Sequence, residues 1–438
     1  MLTLGSGPVF HLGDFPSSSG VSSPVSRALP KPERKKYEAK SDTRTQKLNQ
    51  MLCTDLEAMP VERPLRIAFY ISGHGFGHAT RATVTIRYLL ELGHYVTIVS
   101  SAPSFIFLGL LEEYLSCTLR SIATLDPGVV QRDPVTVDVD ETMRQLELFL
   151  ESAETVKEQE AVWMENERLD VVCLDAPFLP AVVAKQVGIP SVMITNFTFD
   201  AIFSAIGTTD HHKRLVQQCA EMYADADYLL RMPGHIPIPS FQDRPSQTIE
   251  LPLIVRKARM PPAQVRRTLD IPPSAPCVLI TFGGFEIGGD ALTAVQVLPD
   301  GWYGLVACPF AGVDASGRLR RIRTEKWYMP DLLNAADVVL GKCGYGTCSE
   351  VVAHNVPLVY VPRSGFAEEE GLVENLMKPY GCSVEMPQSD FYKGNWAEYI
   401  LRAAELQDSE SIRHRIEDDG EALASELVVS IARNGLVV

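Results

Sequence analysis

"ISGHGFGHATR", Ile71 to Arg81, closes the apolar run "LRIAFYI" and leads into "ATRATVTIRYLLEL", which has helical spacing. Three glycines and two histidines fill a strand-to-helix turn. Such a turn brings backbone close to a ligand at the carboxyl edge of a sheet. The next run, "YVTIVS", is again β-rich. Strand, turn, helix, strand is the opening unit of an α/β parallel sheet. The alternation continues with "VVCLDA", a helix around "PAVVAKQVG", and "SVMITN". Glu141 to Arg168 reads as a long helix with Met143, Leu146, Phe149 and Leu150 on one face.

A proline-dense stretch, from "PGHIPIPS" to "IPPSAP", reads as a connection. A second alternating unit follows: "CVLITF", a glycine pair, "WYGLVAC", "VVLGK", a glycine turn, a helix from Thr347, and "PLVYVP". The simplest architecture is two Rossmann-like units facing each other across a cleft. The boundaries are 61–240 for the first, 241–275 for the linker, and 276–438 for the second with its closing helices. Residues 1–60 are rich in Ser, Pro and charge and poor in periodic apolar positions, so they read as disordered. Asp14 and the later mixed charge weigh against a transit peptide.

Net charge is −15, which argues against a nucleic-acid partner and serves solubility. Nine cysteines sit mostly in apolar stretches, as expected of buried thiols in a reducing, cytoplasmic setting. Cys343 and Cys348 lack a matching His or Cys cluster, so no structural zinc is expected. The longest clean apolar run, "FIFLGLL", is too short to span a membrane.

A dinucleotide fingerprint needs a third glycine and an acidic residue after the second strand. Here His78 occupies the third glycine position and "TIVSS" ends in serines. What remains is a tight turn that delivers His78 to a helix N-terminus. An imidazole there can accept a proton from an incoming hydroxyl. The bland alternative is a helix-capping histidine, and His74 is the rival base.

"LGKCGYGTCSE" carries Lys342, Gly344, Gly346, Thr347, Ser349 and Glu350 through a second strand-to-helix turn. Free backbone N–H groups and the helix dipole make an anion cradle. Glu350 lies one turn in, within reach of a ribose. The terminal Lys-Ser/Thr pair of a P-loop is missing. A helix merely capped by Ser and Glu would need no extra glycines. "ITFGG" ends another strand in Gly283 and Gly284, and "RSGFAEEEG" places Arg363, Glu368 and Glu369 beside sugar hydroxyls or simply in solvent. The Asp-x-Asp of "VTVDVD" has no further ligands at metal spacing and is rejected as a metal site.

These stretches, with "LDPGVVQRDPVTVD", "MITNFTFD", "LPLIVRKARMPPAQVRRTLDI" and "MPDLLNAADVVLGKCGYGTCSE", resemble the GT-B glycosyltransferases of the branch related to family 28. They are most similar to the glycosyltransferase-like N-terminal half of plant L-arabinokinases, across nearly all of residues 65–408. The resemblance implies a GT-B fold of two facing Rossmann-like domains and a nucleotide-sugar donor, UDP-linked, held mainly by the second. It implies no cofactor and no metal. His78 matches the histidine ending the first glycine loop, and Glu350 matches the ribose-contacting glutamate. Gly344, Gly346, Thr347 and Ser349 match the phosphate-facing turn. The glycine- and serine-rich ATP loop of the arabinokinase kinase domain is missing, so a sugar kinase is not expected.

The reading is a metal-independent inverting glycosyltransferase with an unknown acceptor. His78 or His74 is the base. Gly75, Gly77, Gly283, Gly284, Lys342, Arg363, Glu368 and Glu369 join the 344–350 turn on the donor. Arg81, Asp126, Gln131, Asp175 and Asn196 are acceptor candidates. The competing reading is a non-catalytic module that binds a nucleotide sugar or sugar for regulation.

Overall fold

The alternation of strand and helix builds two parallel sheets. The computed structural model describes residues 63–435, apart from 124, 134, 285, 294–296, 314–316 and 409–413. The N-terminal tail therefore lies outside the described residues. The first sheet comprises β1 (Arg66–Ile71), β2 (Tyr95–Ser100), β3 (Cys117–Ser121), β4 (Val171–Asp175), β5 (Ser191–Thr195), β6 (Tyr228–Arg231) and β7 (Thr248–Glu250). Their order is β3-β2-β1-β4-β5-β6-β7. The second comprises β8 (Cys277–Thr281), β9 (Tyr303–Val306), β10 (Leu319–Arg321), β11 (Val338–Gly341), β12 (Leu358–Tyr360) and β13 (Ser383–Glu385), in the order β10-β9-β8-β11-β12-β13.

All pairings within both sheets are parallel. In each sheet the order reverses beside the first strand, between β1 and β4 and between β8 and β11. Open α/β sheets bind ligands at the carboxyl ends of strands flanking such a switch. The central strands are apolar on both faces, with every residue of β4 buried, as a sheet covered on both sides requires.

Four helices matter for the site: α1 (Gly77–Glu91), α2 (Val139–Glu167), α3 (Tyr345–His354) and α4 (Gly420–Asn434). Helix α1 buries Ala79, Ala82, Ile86, Leu89 and Leu90 along one stripe. On α2, Met143, Leu146 and Phe149 are buried and Leu150 half-buried. Asp138, from the rejected Asp-x-Asp, caps α2 by accepting from Glu141 N at 3.2 Å. Helix α3 starts at Tyr345, two residues before the expected Thr347, so Gly346 lies in its first turn.

Two parts of the chain depart from the boundaries read in the sequence. The segment read as a linker, 241–275, contributes β7 to the first sheet and a helix at Pro262–Thr268. Its Leu251, Leu253, Ile254 and Val255 are buried. The prolines suggested a solvated connection, but the apolar "LPLIV" between them is packed away from water. Helix α4 also leaves the second unit and packs on α1, where Ser425 Oγ donates to Thr85 O at 3.2 Å. One apolar cluster contains both Ile67 of β1 and Leu279 of β8, and the chain from Arg63 onward is one compact unit.

Candidate functional site

The two glycine turns end β1 and β11, at the two switch points, and face each other. Gly75 has φ +76° and Gly283 φ +68°, conformations that L side chains rarely adopt. A Cβ on Gly284 would lie 3.6 Å from the Phe76 ring, and one on Gly346 would lie 4.0 Å from Thr80 Oγ1. Between the turns lies a cavity of about 590 Å³. That volume suits a nucleotide-sized ligand.

The second-sheet wall carries Gly283, Gly284, Lys342, Gly344, Gly346 and Thr347. Gly344 is the N-cap of α3 and supplies no side chain to the first amides, a helix end of the kind that can receive an anion. Lys342 stands beside them. Burial, assisted by the Arg363 guanidinium, brings its ammonium down to a pKa of about 8. Arg363 and Glu368 complete this side of the cavity.

Glu350 lines the cavity, yet its Oε1 already accepts from Arg256 Nε at 2.7 Å and pairs with Arg256 Nη2 at 2.6 Å. Burial pushes the Glu350 carboxyl up, and Arg256 pulls against it. Arg256 also lines the cavity. Sequence reading missed it, because one arginine within "LIVRK" carries no motif; its only signal is a cation after an apolar run.

Two residues expected at the donor are turned elsewhere. Ser349 spends its hydroxyl on Gly346 O at 3.1 Å, within the helix. Glu369 holds Arg363 through its backbone N–H at 2.8 Å and its Nε at 2.7 Å. Arg363 in turn donates to Cys343 O, which fixes the loop after β12 against the α3 turn.

The first-sheet wall carries His74, Gly75, Gly77, His78, Arg81 and Gln131. Asp175, the last residue of β4, lies behind His78 and is 2% exposed. His78 Nδ1 lies 2.8 Å from Asp175 Oδ1. Arg81 Nε donates to Asp175 Oδ2 at 2.7 Å, and Arg81 Nη2 donates to Oδ1. Burial alone would raise the Asp175 carboxyl; the Arg81 guanidinium, followed by His78, overcomes it and holds the group below the usual range. An ionised carboxylate only accepts, so His78 Nδ1 carries its proton and leaves Nε2 for the cavity. The 3.0 Å approach of Arg81 Nη2 to the same nitrogen is then a contact of two donors sharing one acceptor.

His74 is differently placed. Its side chain is 42% exposed, and Nε2 lies 3.4 Å from Asp126 Oδ1 and 3.3 Å from Asp126 O. Gly128 packs so closely on its ring that a Cβ there would lie 2.0 Å from it. Asp126, Asp175 and Asn196 are buried behind the wall and do not line the cavity, unlike the direct acceptor contacts expected of them. Gln131 does line it, and its Oε1 has no hydrogen-bond partner among the described residues. Phe76, Phe197 and Phe199 complete an aromatic flank that the sequence reading did not single out. Among the described residues no group of three His, Cys, Asp or Glu is arranged to hold a metal. No described helix is long and apolar enough to cross a membrane.

No protein-family model matches the chain. L-arabinokinase of Arabidopsis thaliana is 35% identical over 349 residues, which is 78% of this chain and 32% of that protein. The chain thus spans about a third of the length of that curated relative. Among solved structures, the calicheamicin glycosyltransferase CalG4 is similar with a TM-score of 0.55 at 15% identity, covering 86% of this chain and 100% of that one. Arabidopsis thaliana UGT89C1 complexed with UDP-L-rhamnose gives 0.54 at 12% identity, covering 85% and 96%. Glycosyltransferase VinC in complex with dTDP gives 0.52 at 15% identity, covering 85% and 100%. Two parallel α/β sheets, a cavity between their switch points and these likenesses make the fold GT-B.

Proposed function

We propose that the chain is a metal-independent inverting glycosyltransferase that uses a nucleotide-diphosphate sugar, with UDP as the nucleotide. The observation that carries this reading is the opposition, in one cavity, of a histidine–carboxylate pair and a glycine-turn helix end. The α3 amides and Lys342 receive the diphosphate. His78 Nε2 takes the proton of an acceptor hydroxyl, and Asp175 stabilises the imidazolium. The acceptor oxygen attacks the anomeric carbon as the bond to the diphosphate oxygen breaks, and that electron pair leaves with UDP. One displacement inverts the anomeric centre. The neighbours bound to UDP-L-rhamnose and dTDP support a nucleotide ligand.

Calorimetric titration with UDP, dTDP and NAD in excess EDTA tests the donor side. UDP is expected to bind without added metal, because backbone donors and the helix dipole hold the anion. Affinity that vanishes in EDTA and returns with magnesium would sink the metal-independent reading. UDP binding with no release of UDP from UDP-sugars would favour the non-catalytic module.

Affinity for UDP should also depend on pH in one direction. Lys342 is charged below about 8 and neutral above it. A titration from pH 7 to pH 9 is expected to weaken UDP binding by about tenfold, the scale of a charge-assisted hydrogen bond. Lys342→Met should flatten that dependence. A flat profile in the native protein would remove Lys342 from the diphosphate.

A further inference from the structure

Arg81 lines the cavity with its hydrogen bonds on the first-sheet side and its guanidinium against a ring of the other wall. On one side it forks onto Asp175 and lies against His78. Its Nη1 donates to Asn196 Oδ1 at 2.5 Å, and Nη2 reaches Thr195 Oγ1 at 3.3 Å. The ring centre of Tyr345, first residue of α3, is 5.0 Å from the guanidinium carbon. The Asn196 amide in turn donates to Glu368 Oε1, in the segment after β12, at 3.0 Å. An unbroken chain of bonds thus runs from Glu368 through Asn196, Arg81 and Asp175 to His78.

Arg81, Asp175 and Asn196 are all buried, so their donors and acceptors have few alternatives. A guanidinium is rigid and planar, and displacing one of its bonds turns the others. We propose that Arg81 is a positioning residue that ties the orientation of the His78–Asp175 pair to the donor wall through Asn196 and Glu368. The nature of the donor rests on the glycosyltransferase reading. A sugar hydroxyl donating to Glu368 competes with the Asn196 amide for that carboxylate. Asn196 then changes its hold on Nη1, and the shift passes through the guanidinium to Asp175 and to His78 Nδ1. The other titratable groups near this line include Asp126, facing both histidines, Tyr345, facing Arg81, and Lys342 and Glu369, facing Glu368.

A purely structural ion pair would hold Asp175 without transmitting anything from the donor wall. Long-range ¹H–¹⁵N histidine spectra of the full chain separate the two, with the His78 signal assigned by its loss in His78→Ala. The ligand-free protein is expected to show His78 protonated on Nδ1, and UDP-glucose is expected to shift that signal. Asn196→Ala should abolish the shift while calorimetry still shows UDP binding, and Arg81→Lys should give mixed tautomers. An Asn196→Ala protein whose His78 signal matches the native one, with and without UDP-glucose, would overturn the proposal. Should Arg81→Lys fail to fold, Glu368→Gln takes its place, with loss of the shift expected and retention overturning. If UDP-glucose does not bind the native protein, the donor reading fails. The ligand-free comparison of native and Asn196→Ala then decides the relay: an altered tautomer supports it, and an identical one overturns it.

Discussion

His78→Ala is expected to slow UDP release from UDP-glucose by about 100- to 10,000-fold, the usual cost of losing a general base. Calorimetric affinity for UDP should stay nearly unchanged. The reason is placement: the polar partners of His78, Asp175 and Arg81, belong to the first-sheet side, while the proposed anion site lies on α3. His74→Ala should have a much smaller effect, because that ring is half-exposed and turned onto Asp126. Loss of UDP affinity in His78→Ala, with turnover of bound donor preserved, would reverse the assignment of the two turns.

Asp175→Ala should unfold the protein at markedly lower urea. Removing one partner of a buried pair leaves Arg81, 4% exposed, charged and uncompensated. Such losses cost about 3–5 kcal/mol. The pH dependence has a definite sign. The folded carboxyl lies below its ordinary value of 3.8. Its contribution to stability is therefore complete above the unfolded pKa and is lost as the pH falls through the depressed folded value. Asp175→Ala should lack that acid-side loss. Equal urea midpoints for the native and variant proteins at neutral pH would show that Arg81 finds another counter-charge.

The fold was legible because β1, β4, β8 and β11 are short apolar runs that each end in a glycine or acidic punctuation, and parallel strands buried on both faces must read that way. The edge strands β7, β10 and β13 are only three residues each, too short to show a period. Within the site, the glycine turns announced themselves because backbone conformation constrains residue type. His78 and Asp175 were both named, but their pairing was not visible, since 97 residues separate them. Asp175 and Asn196 were expected to touch an acceptor, whereas both are buried behind the wall. Ser349 and Glu350 look alike as polar residues on α3, yet one bonds its own helix and the other meets Arg256 from the supposed linker. Those partnerships are set by tertiary approach, which residue spacing does not encode.

Helix α4 lies on α1 although it is the last described helix of the chain. Synthesis on the ribosome therefore completes the seven strands of the first sheet at Glu250 but delivers this covering helix only from Gly420, 170 residues later. At about 5–20 residues per second that interval is roughly 10–30 s. For that time the face of α1 around Thr85 has no native cover, and the first half of the protein is a nascent intermediate with apolar surface exposed. Helix α4 thus ties completion of the N-terminal half to the synthesis of residues 420–434, long after its own strands have emerged.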